Sequence, residues 1–121
     1  MNGLSGEPFD AHVRTHVFEP LGMADTGFDP PTSSLARIVA TDQEDGRLRW
    51  GEVQDATPYP FFPLGGVAGH AGLFSTADDL ARFARMLQQG GELDGVHVLR
   101  PDTVALMTHP AVLPGGARCS R

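Results

Sequence analysis

A mixed α+β fold, built of helices and short antiparallel hairpins, is predicted for this 121-residue chain by three observations. One segment, Leu80 to Leu87, carries helical apolar spacing behind a Ser-Thr pair. Two Asp-Gly pairs, Asp45-Gly46 and Asp94-Gly95, lie beside short runs that suit strands. The 15 glycines and 10 prolines approach the proportion of low-complexity chains, but they alternate with periodic segments and so read as loops.

Pro8 to Phe18 reads as a helix. Proline suits a first helical turn, and Phe9, Val13 and Val17 recur on one face. Pro20 ends it, and Leu21-Gly22-Met23 forms a tight turn with Leu21 and Met23 buried. Asp29 to Ser34 is a loop by composition. Arg37–Thr41 and Leu48–Val53 are expected to be strands joined at Asp45-Gly46. Pro58, Pro60 and Pro63 exclude a central strand from Asp55 to Pro63, leaving a loop anchored by Tyr59, Phe61 and Phe62.

Ser75 or Thr76 is the expected N-cap of the next helix, with Asp78 or Asp79 three residues on. Leu80, Phe83, Ala84 and Leu87 form its apolar stripe, and Gly90-Gly91 stops it. Leu93 to Val96 is a second turn, Val96 to Leu99 a short strand. Pro101 opens a last helix bearing Val104, Leu106 and Met107. Residues 109–121 lose periodicity and read as an irregular tail after a single unit over 1–108.

The composition, 40% hydrophobic and 20% charged, is that of an ordinary globular chain. The net charge is −6, all nine cations are arginine, and no basic run occurs, which argues against nucleic acid or an anionic membrane as partner. No stretch approaches ~18 apolar residues, and residues 1–20 lack a basic region followed by an apolar one. Cys119 is the only cysteine, so no internal disulfide forms, and no role is assigned to it.

Three constellations invite a chemical reading. His70, Ser75 and Asp79 contain the letters of a nucleophilic triad, but their spacing is local and Ser75 is explained by capping. His70 itself, flanked by glycine, suits the rim of a cleft. His12, His16 and Glu19 share a helical face at metal-ligand spacing, yet Val13 stands where a zincin places its glutamate. A solvated face accounts for them, and no metal or cofactor is assigned. Gly65, Gly66, Gly69 and Gly72 match neither the dinucleotide nor the P-loop spacing, and close backbone packing accounts for them.

Four segments carry a family resemblance. Ser5 to Asp10 is similar to the start of a helix in the serine hydrolases related to β-lactamases and penicillin-binding proteins. Val17-Phe18-Glu19-Pro20-Leu21-Gly22-Met23, with Asp25-Thr26-Gly27-Phe28 after it, resembles that family's Ile-Phe-x-Pro-Leu-Gly-Met signature. Gly65 to Met86 resembles its Gly-Gly-Leu-x-Ser-Thr-Ala-x-Asp-Leu-Ala-Arg-Phe block, and Leu99 to Met107 its Leu-Ser-Pro-Glu-Thr-Val-x-x-Met helix. Together these cover about residues 5–108. The resemblance implies a partial β-lactamase/transpeptidase-like fold and a parent that acts by acyl transfer, as an esterase, D-alanyl-D-alanine peptidase or β-lactamase. Such a parent takes a small ester, amide or β-lactam substrate.

The family's catalytic motifs do not map onto this chain. It contains no lysine, so Ser-x-x-Lys is absent. Tyr59 is followed by Pro60-Phe61 rather than x-Asn, and His109 by Pro110-Ala111 rather than x-Gly. His70-Ala71-Gly72 has the letters of the third motif but precedes the Ser-Thr helix, too early in the family's order. Where some relatives carry Val-His-Asp, this chain has Val53-Gln54-Asp55. The expectation is an internal piece of a hydrolase, inactive alone and prone to self-association through uncovered apolar surface. The rival is a small binding module with a cleft near His70 and the Tyr59-Phe61-Phe62 cluster; a self-contained metalloenzyme ranks last.

Overall fold

The computed structural model describes residues 6–40, 42–51 and 67–110. The expectations for Val53, Tyr59, Phe61, Phe62, Gly65, Gly66 and Cys119 fall outside these residues. The elements, in order, are α1 (Phe9–Val13) continued by a π-helical turn (Arg14–Phe18), a 3-10 turn (Thr32–Arg37), the hairpin β1 (Asp42–Glu44) and β2 (Arg47–Arg49), α2 (Ala77–Gln88), the hairpin β3 (Glu92–Leu93) and β4 (Val96–His97), and α3 (Pro101–Thr108).

The first helix forms where the sequence places it. Pro8 caps it with extended backbone, and the π turn closes through Glu19 N–H donating to the Arg14 carbonyl at 2.9 Å. Gly22, at φ +65°, then lets the chain turn back on itself. That turn delivers Phe18, Leu21 and Met23 to a core completed by Met86 and Leu93, with Val13, Val17, Phe83, Leu87, Val98 and Leu99 packed around it.

Both Asp-Gly pairs form the expected turns. Asp45 and Gly46 (φ +50° and +79°) and Asp94 and Gly95 (+52° and +82°) take the left-handed conformations that a two-residue hairpin turn requires. The first hairpin pairs Asp42 with Arg49, Gln43 with Leu48 and Glu44 with Arg47; the second pairs Glu92 with His97 and Leu93 with Val96. Among the described residues, which leave out Thr41, Glu52 and Val53, the strands differ from the expected Arg37–Thr41 and Leu48–Val53. Residues 32–37, in part expected to be loop and in part strand, form the 3-10 turn instead, and β1 begins at Asp42. The physical reason is that the tight turn pairs its own immediate neighbours, whereas apolar alternation points further out. β4 likewise ends at His97, not Leu99, because Val98 N–H and Leu99 N–H both donate to the Gly91 carbonyl, at 2.9 and 3.1 Å. Gly91 lies so close to the Leu99 backbone that a Cβ would overlap its carbonyl.

Helix α2 begins and ends as expected, but its buried face is rotated. Asp79 and Met86 are its buried residues, while Leu80 is 52% exposed and Ala84 is exposed. Successive residues are about 100° apart around a helix, so Leu80 lies at the edge of the face defined by Asp79, Arg82, Phe83 and Met86. The apolar stripe is wider than the cover the described residues provide. In α3, Val104 is buried, whereas Leu106 and Met107 are exposed at 79% and 59%.

Candidate functional site

The glycine-flanked run from Val67 to Thr76 enters α2 against the segment Asp25–Gly27. An antiparallel bridge joins the two: Gly27 N–H donates to the Phe74 carbonyl at 3.0 Å, and Phe74 N–H to the Gly27 carbonyl at 2.8 Å. Next to it stands the buried carboxylate of Asp79. Its Oδ2 accepts from Asp25 N–H at 2.9 Å and from the Thr26 hydroxyl at 2.7 Å. Two charge-assisted bonds to one oxygen suit a buried carboxylate, and among the described residues no buried side-chain polar atom lacks a partner.

The cap resolves onto Thr76, whose hydroxyl accepts from Asp79 N–H at 3.2 Å. In a reciprocal capping box the third helical side chain returns to the cap; here the Asp79 carboxylate turns to Asp25 and Thr26 instead. Ser75 is displaced from capping and shares a 2.8 Å hydrogen bond with the Thr26 hydroxyl.

These partners also decide the triad reading. His70 lies at an exposed bend, the Ser75 hydroxyl is engaged by Thr26 and the Thr76 carbonyl, and Asp79 is engaged by Asp25, Thr26 and the cap. No hydrogen bond of Ser75 or Asp79 runs to His70, so no base–nucleophile pair forms among them. At Gly69 a Cβ would stand in ordinary contact, 3.9 Å from the Phe9 ring, so close packing does not require glycine there; that ring meets Phe28 at 5.8 Å between centroids. The arrangement is a braced scaffold that presents an imidazole at the surface.

Around this hub lie residues that local spacing does not reveal. Arg37 forks onto Asp25, with Nη1 and Nη2 donating to the two carboxylate oxygens at 2.8 and 2.7 Å. That guanidinium holds the Asp25 carboxyl below its ordinary range and is itself raised in return. Arg82 donates to the Leu21 carbonyl and to Asp94 at 3.1 Å, tying α2 to the Leu21 turn and to the second hairpin. Asp79 and its loop partners lie 53 and 54 positions apart, so no motif within one segment could find them.

His12 and His16, read from sequence with Glu19 as a solvated helix face, have a different acidic neighbour in the structure. Glu7, not Glu19, comes to the two imidazoles, with Oε2 at 3.1 Å from His12 Nδ1 and 3.9 Å from His16 Nε2. Glu7 precedes the non-helical N-cap Pro8 and so lies outside the periodicity of the helix.

The model of the Beta-lactamase family matches residues 1–118. Among curated relatives, a protein of Escherichia coli (strain K12) named "Putative D-alanyl-D-alanine carboxypeptidase" is 30% identical over 123 aligned positions, which cover 89% of this chain and 28% of the relative. A protein of the same name from Salmonella newport is 31% identical with the same coverage. The chain thus spans little more than a quarter of the length of these relatives. With the family model matched over residues 1–118, Leu21 and Met23 of the Pro-Leu-Gly-Met turn buried in the core and Thr76 of the Ser-Thr-Ala-Asp-Asp-Leu segment capping α2, the chain belongs to the β-lactamase family.

Proposed function

We propose that this chain is a structural segment of a serine acyl hydrolase of the D-alanyl-D-alanine carboxypeptidase, esterase or β-lactamase type, and that alone it performs no acyl transfer. The observation that carries the reading is a family match over residues 1–118 in a chain without a single lysine. Acyl transfer by this family's route needs a serine whose proton is taken by a neighbouring lysine and an oxyanion held by backbone N–H groups. Ser75, hydrogen-bonded to Thr26, has no such base. The segment's contribution is geometric: the Asp79 hub and the Gly27–Phe74 bridge brace the glycine-flanked loop, and exposed His70 stands at the rim of the acyl-substrate cleft.

The purified 121-residue chain is expected to give no acyl-enzyme burst with a chromogenic ester or cephalosporin. A burst that disappears in Ser75→Ala would overturn the inactive reading. The rim role is read separately from the His70 ring resonances during titration with an N-acyl-D-Ala-D-Ala peptide. Shifts at His70 support it; resonances that stay in place remove it.

A further inference from the structure

We propose that Glu7, His12 and His16 form a binding site for a borderline first-row divalent cation, with Zn2+ as its reference ion. The three side chains each offer a ligand atom, all within 4.8 Å of one another. The histidines are four residues apart, across the junction of α1 with the π turn, and their rings lie 4.5 Å centroid to centroid at 48°. Nitrogen and oxygen ligands bind Zn2+ at about 2.0–2.2 Å in tetrahedral geometry, which sets neighbouring ligand atoms roughly 3.3–3.5 Å apart. The Glu7–His12 distance of 3.1 Å and the Glu7–His16 distance of 3.9 Å straddle that value.

The donor chemistry selects the ion. Two imidazoles and one carboxylate suit Zn2+, Ni2+ or Cu2+, whereas Ca2+ takes six to eight oxygen ligands and Mg2+ near-octahedral oxygen. All three side chains are about half exposed, at 42% to 56%, so hydrated ion reaches them directly and water completes the coordination. A hydrogen bond joins Glu7 to His12, and the i+4 spacing of His16 brings its ring nitrogen to within 3.9 Å of the same carboxylate oxygen. A bound cation would tie the segment before Pro8 to the π turn, clamping the entry to the helix.

The test is isothermal titration of zinc chloride into the full chain, with ring 15N spectra of the histidines. One-to-one binding is expected, with the His12 and His16 signals moving and those of His70, His97 and His109 staying in place. His12→Ala and His16→Ala should each weaken binding at least ~10-fold, since even partners of metal ligands carry that much, and Glu7→Gln should weaken it several-fold. His97→Ala, which removes an imidazole paired with Glu92 at 3.3 Å, is the control and should leave binding unchanged. Because the three side chains are half-exposed, the variants are expected to keep the parent far-UV ellipticity. Undiminished binding in His16→Ala, ring shifts at other histidines, or magnesium competing equally with zinc would each overturn the proposal.

Discussion

Asp25 shows how one exposed side chain is tuned by a partner. Arg37 grips both its oxygens, and this hydrogen bonding, ahead of a smaller opposing desolvation, lowers its pKa. A carboxyl depressed in the folded chain stabilises the fold above its unfolded value, about 3.9. That contribution is lost as pH falls through the folded value. The acid side of the stability profile is therefore where Asp25 acts. With both side chains about half exposed, the effect belongs to the weak class of surface pairs. In Arg37→Gln the Asp25 carboxyl titration, followed by 13C resonance, is expected to move up toward the ordinary aspartate midpoint. An unmoved midpoint would show that the fork does not form in solution. Asp79, whose buried carboxylate accepts the Asp25 N–H at 2.9 Å, plays a different part: it organises a loop.

At the scale of the element, α2 separates two neighbouring hydroxyls that sequence could not tell apart. Thr76 accepts the Asp79 N–H, so Thr76→Ala should cost about 1 kcal/mol. Ser75 instead meets Thr26 at an exposed position, and Ser75→Ala should stay within about 0.5 kcal/mol. Amide exchange in the first turn of α2 reads the difference directly, as roughly fivefold faster exchange in the Thr76 variant. Equal effects, or the larger effect at Ser75, would return the cap to Ser75. The helix limits themselves were legible, because caps and Gly90-Gly91 act within a turn. Its buried face was not, because Met86 and Arg82 take their positions from Leu21, Leu93 and Asp94, which lie in other elements.

For the whole molecule the governing feature is apolar surface left outside the small core. Val39, Leu80, Leu106 and Met107 are exposed at 81%, 52%, 79% and 59%. Fully burying such a side chain stabilises by about 1.5–3 kcal/mol, against a domain stability of about 5–15 kcal/mol. Cover missing from two or three of them removes much of that margin. The chain is therefore expected to elute above its monomer mass in a concentration-dependent way, and to unfold in guanidinium over a shallow transition followed at Trp50. Leu80→Glu together with Leu106→Glu should shift elution toward the monomer. A monomer with a cooperative transition of ordinary midpoint would instead favour a self-contained binding module.

The family signature, the start and stop of α2, both Asp-Gly turns and the burial of Leu21 and Met23 were all readable from sequence. Each is set by interactions within a few residues or by a backbone conformation that only certain residues adopt. Tertiary structure alone decided three other features: the partners of Asp79, the rotated buried face of α2, and the exchange of Glu19 for Glu7 beside His12 and His16. The first depends on chain segments brought together across some fifty positions, the second on partners in the Leu21 turn and the second hairpin, and the third on a residue that lies before the helix and outside its periodicity. Short-range sterics are written in the local sequence, whereas side-chain convergence depends on where the folded backbone carries each residue.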